Sequence, residues 1–227
     1  MTYPISYEVP GWTPCEHPSK RTMLGQYCDL QVPDPSLHGD ALYAALCPNG
    51  SDHNWTYMPY GPFDNKAAFD VWLAELPNSR DPLFHAIINK ATGQAAGIAS
   101  FLRITGDVGV IEVGHIHYGN EIQRTAIATE AMYLMMCRVF DELGYRRYEW
   151  KCDALNARSR SAALRLGFTF EGIFRQATLY KGRNRDTAWF AMLDSDWPVI
   201  KRVYENWLAA DNFDRSGSQR KPLAINR

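Results

Sequence analysis

The sequence has no uninterrupted apolar stretch of the roughly 20 residues a helix needs to cross a bilayer. Its first residues, MTYPISYEVPGW, lack a basic segment followed by an apolar run. The expectation is a cytoplasmic protein without a membrane partner. Cysteine is scarce: the five residues Cys15, Cys28, Cys47, Cys137 and Cys152 are odd in number and form no C-x-x-C pair. That argues against a disulfide framework or a zinc site, so buried free thiols and no metal are expected. An excess of one charge is also missing, with 24 Lys and Arg against 25 Asp and Glu. No overall basic field draws the chain to nucleic acid, and any polyanion it holds must be held locally. Repeats and low-complexity runs are absent too.

What is present is enough apolar residue, 46% of 227, for one sizeable core. Residues 1–20 carry Pro4, Pro10, Pro14 and Pro18 without periodicity and read as an irregular arm over the domain. Residues 21–210 read as a single body, and 211–227 as a polar, flexible tail. Within the body, Met23 to Val32 is predicted as a strand, Pro35 to Cys47 as a helix, and FDNKAAFDVWLAEL as a second helix capped by Asp64. Leu83 to Lys90, Ala95 to Ile104 and Val108 to Tyr118 read as a meander of strands with turns at Thr92-Gly93 and Gly106-Asp107. From Ala128 to Leu143, apolar residues at i, i+3, i+4 and i+7 predict a long helix closed by Gly144. Arg147 to Asp153 reads as a strand with one covered face, Asn156 to Leu166 as a short helix, Phe170 to Lys181 and Thr187 to Leu193 as strands, and Trp197 to Leu208 as a closing helix. The fold class is mixed α/β: a central, mostly antiparallel sheet flanked by helices.

The chemistry is expected in VIEVGHIHYGNEIQRTAIATEA, a strand running through a short loop into the long helix. A helix start offers unpaired N–H groups and a positive dipole end, which together favour a phosphate. Ala126 and Ala128 are small enough for close approach, and Gln123, Arg124 and Thr125 can add donors. The run Gln123-Arg124-Thr125-Ala126-Ile127-Ala128, continuing into Thr129, resembles the pyrophosphate loop Q/R-x-x-G-x-G/A of the GNAT superfamily of N-acetyltransferases, with Ala126 where glycine is usual. Alanine would be strained at a positive φ but is comfortable in a helix first turn, where we place it. The segment DALNARSRSAALRLGFTFEGIFRQ is similar to the superfamily's second cofactor motif through Asn156, Ser159, Leu166, Gly167, Phe168, Glu171 and Gly172.

The resemblance spans about residues 21–195 and is nearest to the RimJ/RimL-type ribosomal-protein acetyltransferases. It implies the GNAT acyl-CoA N-acyltransferase fold, acetyl-CoA as donor, direct transfer to an amine acceptor, and a monomer or homodimer. Cofactor contacts are implied for His117, Gln123 to Thr129, Asn156 and Ser159.

An amine near pKa ~10 must lose a proton before it attacks a thioester. Glu112, on the strand leading into the loop, is the candidate base, acting directly or through a water; its other reading is a carboxylate paired inside the sheet. Strict alternation puts His115 and His117 on the opposite face from Glu112. Backbone around His117 to Gly119 is the expected oxyanion donor. The tyrosine that many relatives place near the leaving sulfur is replaced by Ala163, which leaves Ser159 near that sulfur, or in a helix-capping role, with Tyr180 as reserve acid. Thr178 stands where RimL-type enzymes can carry a glutamate. The aromatic segment Trp55 to Phe63 is either an acceptor wall or loop packing, and Lys181, Arg183 and Arg185 read as a solvated turn. A non-catalytic acyl-CoA-binding module is the alternative to an enzyme.

Overall fold

Where the sequence alternates, strands form, and where apolar residues recur at helical spacing, helices do. The computed structural model describes residues 3–50 and 52–225. Along the chain run β1 (Met23–Leu24), β2 (Cys28–Gln31), α1 (Pro35–Leu46), α2 (Lys66–Glu75), β3 (Leu83–Asn89), β4 (Gln94–Thr105), β5 (Val110–Tyr118), α3 (Ala126–Cys137), β6 (Arg147–Asp153), α4 (Ala157–Arg165), β7 (Thr169–Tyr180), β8 (Arg183–Leu193) and α5 (Trp197–Leu208). The strands form one eight-stranded sheet in the order β1-β2-β3-β4-β5-β6-β8-β7. Every neighbouring pair is antiparallel except β5 and β6, which the α3 crossover makes parallel.

Two apolar clusters cover the two faces unequally. The larger packs Ala131, Met132, Met135 and Met136 of α3, Ala163 of α4 and Ile200 and Tyr204 of α5 against Phe101, Ile111, Val113, Tyr148, Trp150 and Phe190. The smaller packs α1 and α2 through Leu42, Leu46, Phe69 and Leu73 onto Phe84, Ala86 and Ile98 of β3 and β4. Each fully buried side chain of this size contributes about 1.5–3 kcal/mol.

Several local readings are corrected. The first strand is a hairpin, because the buried carboxylate of Glu130 accepts the N–H groups of Gln26 (2.8 Å), Tyr27 (2.6 Å) and Cys28 (2.8 Å) and folds the chain back on itself. Asn65, not Asp64, caps α2, its Oδ1 accepting from Ala68 N–H at 3.0 Å. The long helix stays α-helical only to Cys137 and finishes as a π-helical turn, Arg138–Glu142, before Gly144 at φ 67° ends it. There the buried Arg138 pairs with Glu142 at 2.7 Å and donates to the carbonyls of Ser19 and Arg21. The arm is further held by Trp12 donating to the Asp107 carbonyl and Tyr145 to that of Glu16. The tail was expected to be flexible, yet Leu223 is buried in the larger cluster and Asn212 bonds both Trp207 and Lys221. Its few apolar residues anchor what its polar composition concealed.

Candidate active site

β5 and β6 pair only from Val110↔Arg147 to Val113↔Trp150. Beyond that point β5 continues to Tyr118 and β6 to Asp153 without meeting, so the sheet splits at the carboxyl ends of its two parallel strands, the position where open sheets bind ligands. The resulting cleft has a volume of about 720 Å³ and is lined from both faces of the sheet. Backbone groups of Gly114 to Tyr118 on the edge turned towards β6 have no strand partner there.

A bulge in β5 shapes this edge. Between the pairs Ser100↔Gly114 and Ile98↔His117, three steps on β5 answer two on β4, and His115 takes φ 51°. The bulge breaks the alternation on which the sequence reading relied. Glu112, His115 and His117 therefore share one face, not opposite faces: Glu112 stands opposite Leu102, His115 stacks on Tyr60, and His117 meets the ring of Trp55 edge-on at 4.1 Å. Tyr60 Oη and His115 Nδ1 lie 2.9 Å apart, whereas both nitrogens of His117 are buried without a partner. Burial drives both imidazoles down to about 4, so they are neutral at physiological pH.

On the α3 side of the split lies the loop into that helix. Arg124 adopts φ 63°, so the left-handed residue precedes the helix, and Ala126 occupies its first turn, where alanine is unstrained. Thr125 is the N-cap but its hydroxyl donates to Ile122 O at 2.7 Å instead of capping. The first bond closing on the cap runs from Thr129 N–H to Thr125 O, so helix geometry leaves the N–H groups of Ala126, Ile127 and Ala128 outside the ladder. Thr129 is buried and its hydroxyl bonds Thr125 O and Arg165, facing inward rather than towards the cleft. Gln123 lines the cleft, its amide donating to Tyr118 O and Asn120. Gly119 N–H is already given to Ala96 O at 2.8 Å, which removes it as an oxyanion donor.

Asn156 caps α4, accepting Ser159 N–H at 3.1 Å. Ser159 has no capping role: its hydroxyl oxygen accepts Trp150 Nε1–H at 2.9 Å, and its side chain also bonds the Cys152 thiol at the lining of the cleft. Burial, together with the bond that Tyr180 Oη donates to Asp153 Oδ2 at 2.8 Å, pushes the phenol up to about 12.

The other face of the split carries a charge network that the sequence reading missed. Glu112 is 3% exposed; its Oε1 accepts Arg103 Nη1–H at 2.6 Å and its Oε2 lies 2.9 Å from Lys151 Nζ. Lys151 also pairs with Glu149 at 2.7 Å and sits over the ring of Trp189 at 3.8 Å. Burial pushes the Glu112 carboxyl up, against the opposing pull of Lys151 and Arg103. Arg103 is aimed by a second bulge, in β4, where Asp81 accepts the N–H groups of Arg103 and Ile104. Arg185, read as part of a solvated turn, is half-buried on β8 and lines the cleft. Lys181 reaches from the β7–β8 turn to the Trp55 carbonyl at 2.7 Å, and Tyr57 Oη to that of Leu155. In the segment Trp55 to Phe63, Trp55 and Phe63 pack with Phe69 and Trp72, while Tyr57, Met58 and Pro59 line the cleft. The signal for Lys151 lies in the charged residues Arg147, Glu149, Lys151 and Asp153, which alternate along β6 and so share one face.

No helix among the described residues is long and apolar enough to cross a membrane, and no group of three or more His, Cys, Asp or Glu among them could hold a metal ion. Residues 34–169 match the family model of the acetyltransferase (GNAT) domain. The chain is similar to a GCN5-related N-acetyltransferase from Brucella melitensis, at 47% identity over 95% of this chain and 97% of that one, with a TM-score of 0.92. It is also similar to a probable GNAT-family acetyltransferase from Chromobacterium violaceum, at 39% identity, 87% and 98% coverage and a TM-score of 0.79. The microcin C7 self-immunity acetyltransferase MccE, solved in complex with acetyl-CoA and AMP, shares the fold at 22% identity, 74% and 93% coverage and a TM-score of 0.65. No curated protein matches the chain.

Proposed function

Since the chain belongs to the acetyltransferase (GNAT) family, we propose that it transfers the acetyl group of acetyl-CoA directly to a primary amine. The observation that carries this reading is the split between β5 and β6, which joins a helix start with N–H groups outside the ladder on one face to a buried carboxylate on the other. Acetyl-CoA would place its pyrophosphate against the N–H groups of Ala126 to Ala128, with Gln123 and Arg124 beside it. Its thioester would then lie in the split near Ser159, against the unpaired edge of β5 that supplies donors to the developing oxyanion.

Glu112 takes the amine proton directly or through a water. Arg103 is 61% exposed, so its bond to Glu112 can be exchanged for solvent or acceptor, whereas the ion pair with Lys151 is buried. Ser159 then offers a hydrogen bond to the departing sulfur, which with a thiol pKa of ~8.5 leaves as the thiolate and takes its proton from solvent. The RimJ/RimL-like resemblance belongs to this proposal, as does a cytoplasmic setting, and a peptide or protein N-terminus is one acceptor within it.

One observation favours the alternative, a non-catalytic acyl-CoA-binding module: both oxygens of Glu112 face cations. Acetyl-CoA-dependent thiol release against free amino acids, polyamines, aminosugars and short peptides separates the two. Amine-dependent release supports transfer; silence across the panel with acetyl-CoA binding intact supports the module.

A further inference from the structure

On the face opposite α3, the cleft is lined by the cations Arg103, Lys151 and Arg185 and the carboxylates Glu112 and Asp153. Four of these five are already committed. Glu112 faces Arg103 and Lys151, and Lys151 also has Glu149. Asp153 accepts Leu155 N–H at 2.8 Å and the Tyr180 hydroxyl at 2.8 Å. Arg185 forms no ion pair among the described residues, and its buried Nε–H has no acceptor. Its guanidinium lies 5.7 Å from the centre of the Tyr180 ring, a contact that orients the group without neutralising it.

Its position is central. Arg185 stands opposite Thr178 on β7, and alternation along β8 puts it on the same face as Thr187 and Trp189, the latter covering Lys151. The field of Arg185 reaches both His115 across the split and Cys152 on β6, and with Arg103 it helps to keep His115 neutral. A half-buried guanidinium that lines a cleft and forms no ion pair among the described residues suits a ligand oxyanion, which its planar fork can bind through two hydrogen bonds.

We propose that the acceptor is an amine that itself carries an oxyanion, a carboxylate or a phosphate, bound by Arg185 in the cleft while the amine lies against Glu112. The inference rests on the transferase reading and narrows it. It favours small amino acids or amino phosphates over polyamines, whose cations Arg185 repels. It also disfavours peptide N-termini, in which the carboxylate next to the amine is lost to the amide.

The test is isothermal titration calorimetry on CoA-saturated protein with matched pairs, run in parallel with thiol release from acetyl-CoA. The pairs are phenylalanine and phenethylamine, alanine and ethylamine, and phosphoethanolamine and ethanolamine. The anionic member of at least one pair is expected to bind about tenfold or more tightly than its partner. The first two pairs report a carboxylate and the third a phosphate. Arg185→Gln should erase that preference while acetyl-CoA affinity is kept, and Arg185→Lys should restore part of it. Equal affinity or no binding in every pair, or a preference that survives Arg185→Gln, overturns the proposal. Release from all amines regardless of the anion sinks this inference and leaves the transferase standing. Selective binding of anionic amines without release sinks the transferase reading and leaves the oxyanion site standing.

Discussion

Replacing Glu112 by Gln removes one negative charge from a network in which Glu112 and Glu149 both face Lys151. Breaking a buried pair outright costs about 3–5 kcal/mol. Here Lys151 keeps Glu149 at 2.7 Å and the Trp189 ring at 3.8 Å, and Arg103 is 61% exposed and turns to water, so the loss should be about 1–3 kcal/mol. In a chain of this length that lowers Tm by about 2–12 °C. The chemical effect is of a different size: loss of a general base lowers turnover about 10²–10⁴-fold. Thiol release at saturating acetyl-CoA gives kcat and acceptor KM, calorimetric scanning gives Tm, and titration gives acetyl-CoA affinity. The expected pattern is a large fall in kcat, a modest fall in Tm and unchanged acetyl-CoA affinity. A Tm loss with kcat intact would refute the base assignment and make Glu112 purely the partner of Lys151.

Glu130→Ala leaves the buried N–H of Cys28 and the half-buried N–H of Tyr27 without their acceptor, and the buried one alone should destabilise the fold by about 1–3 kcal/mol in denaturant titrations. An unchanged midpoint would show that water replaces the carboxylate. Ala126→Glu sets a carboxylate in the first turn of α3, where Ala126 is buried, and should raise the acetyl-CoA Kd about tenfold or more; retained affinity would move the pyrophosphate elsewhere. Acid sensitivity has a definite sign. Burial holds His115 and His117 near 4 and His85 near 3, so between about pH 6.5 and 4 the unfolded chain binds more protons than the folded one. Stability is full above the unfolded pKa and falls as pH drops through this window, by up to about 1.4 kcal/mol per pH unit per ring. Replacing His117 with Gln should flatten the slope of Tm against pH there, and an unaltered slope would mean that His117 does not titrate in this range.

Much of the architecture was legible because it depends on neighbours in sequence. The period of α5 and the turn signals between the strands from Leu83 to Tyr118 are local, and α5 folds over the residues its pattern predicts. So is the choice of Ala126 for a helix first turn, with the left-handed conformation passing to Arg124. Local reasoning about the helix start pointed to Gln123, the motif resemblance implied Asn156 and Ser159, and all three line one cleft. Local reasoning failed where a distant group intervenes. Glu130 folds the first strand into a hairpin more than a hundred residues earlier in the chain, and Asp81 holds the β4 bulge that aims Arg103 at Glu112.

The sequence by itself determined most of the elements and their order, and the small residues at the start of α3, since period and residue size act over a few positions. Only the tertiary structure decided which faces meet. The β5 bulge shifts His115 and His117 to the side of Glu112, and the parting of β5 from β6 opens the cleft between them. Burial commits both oxygens of Glu112 to cations while leaving the Nε–H of Arg185 without an acceptor, because desolvation and charge pairing depend on neighbours that lie far apart in the chain.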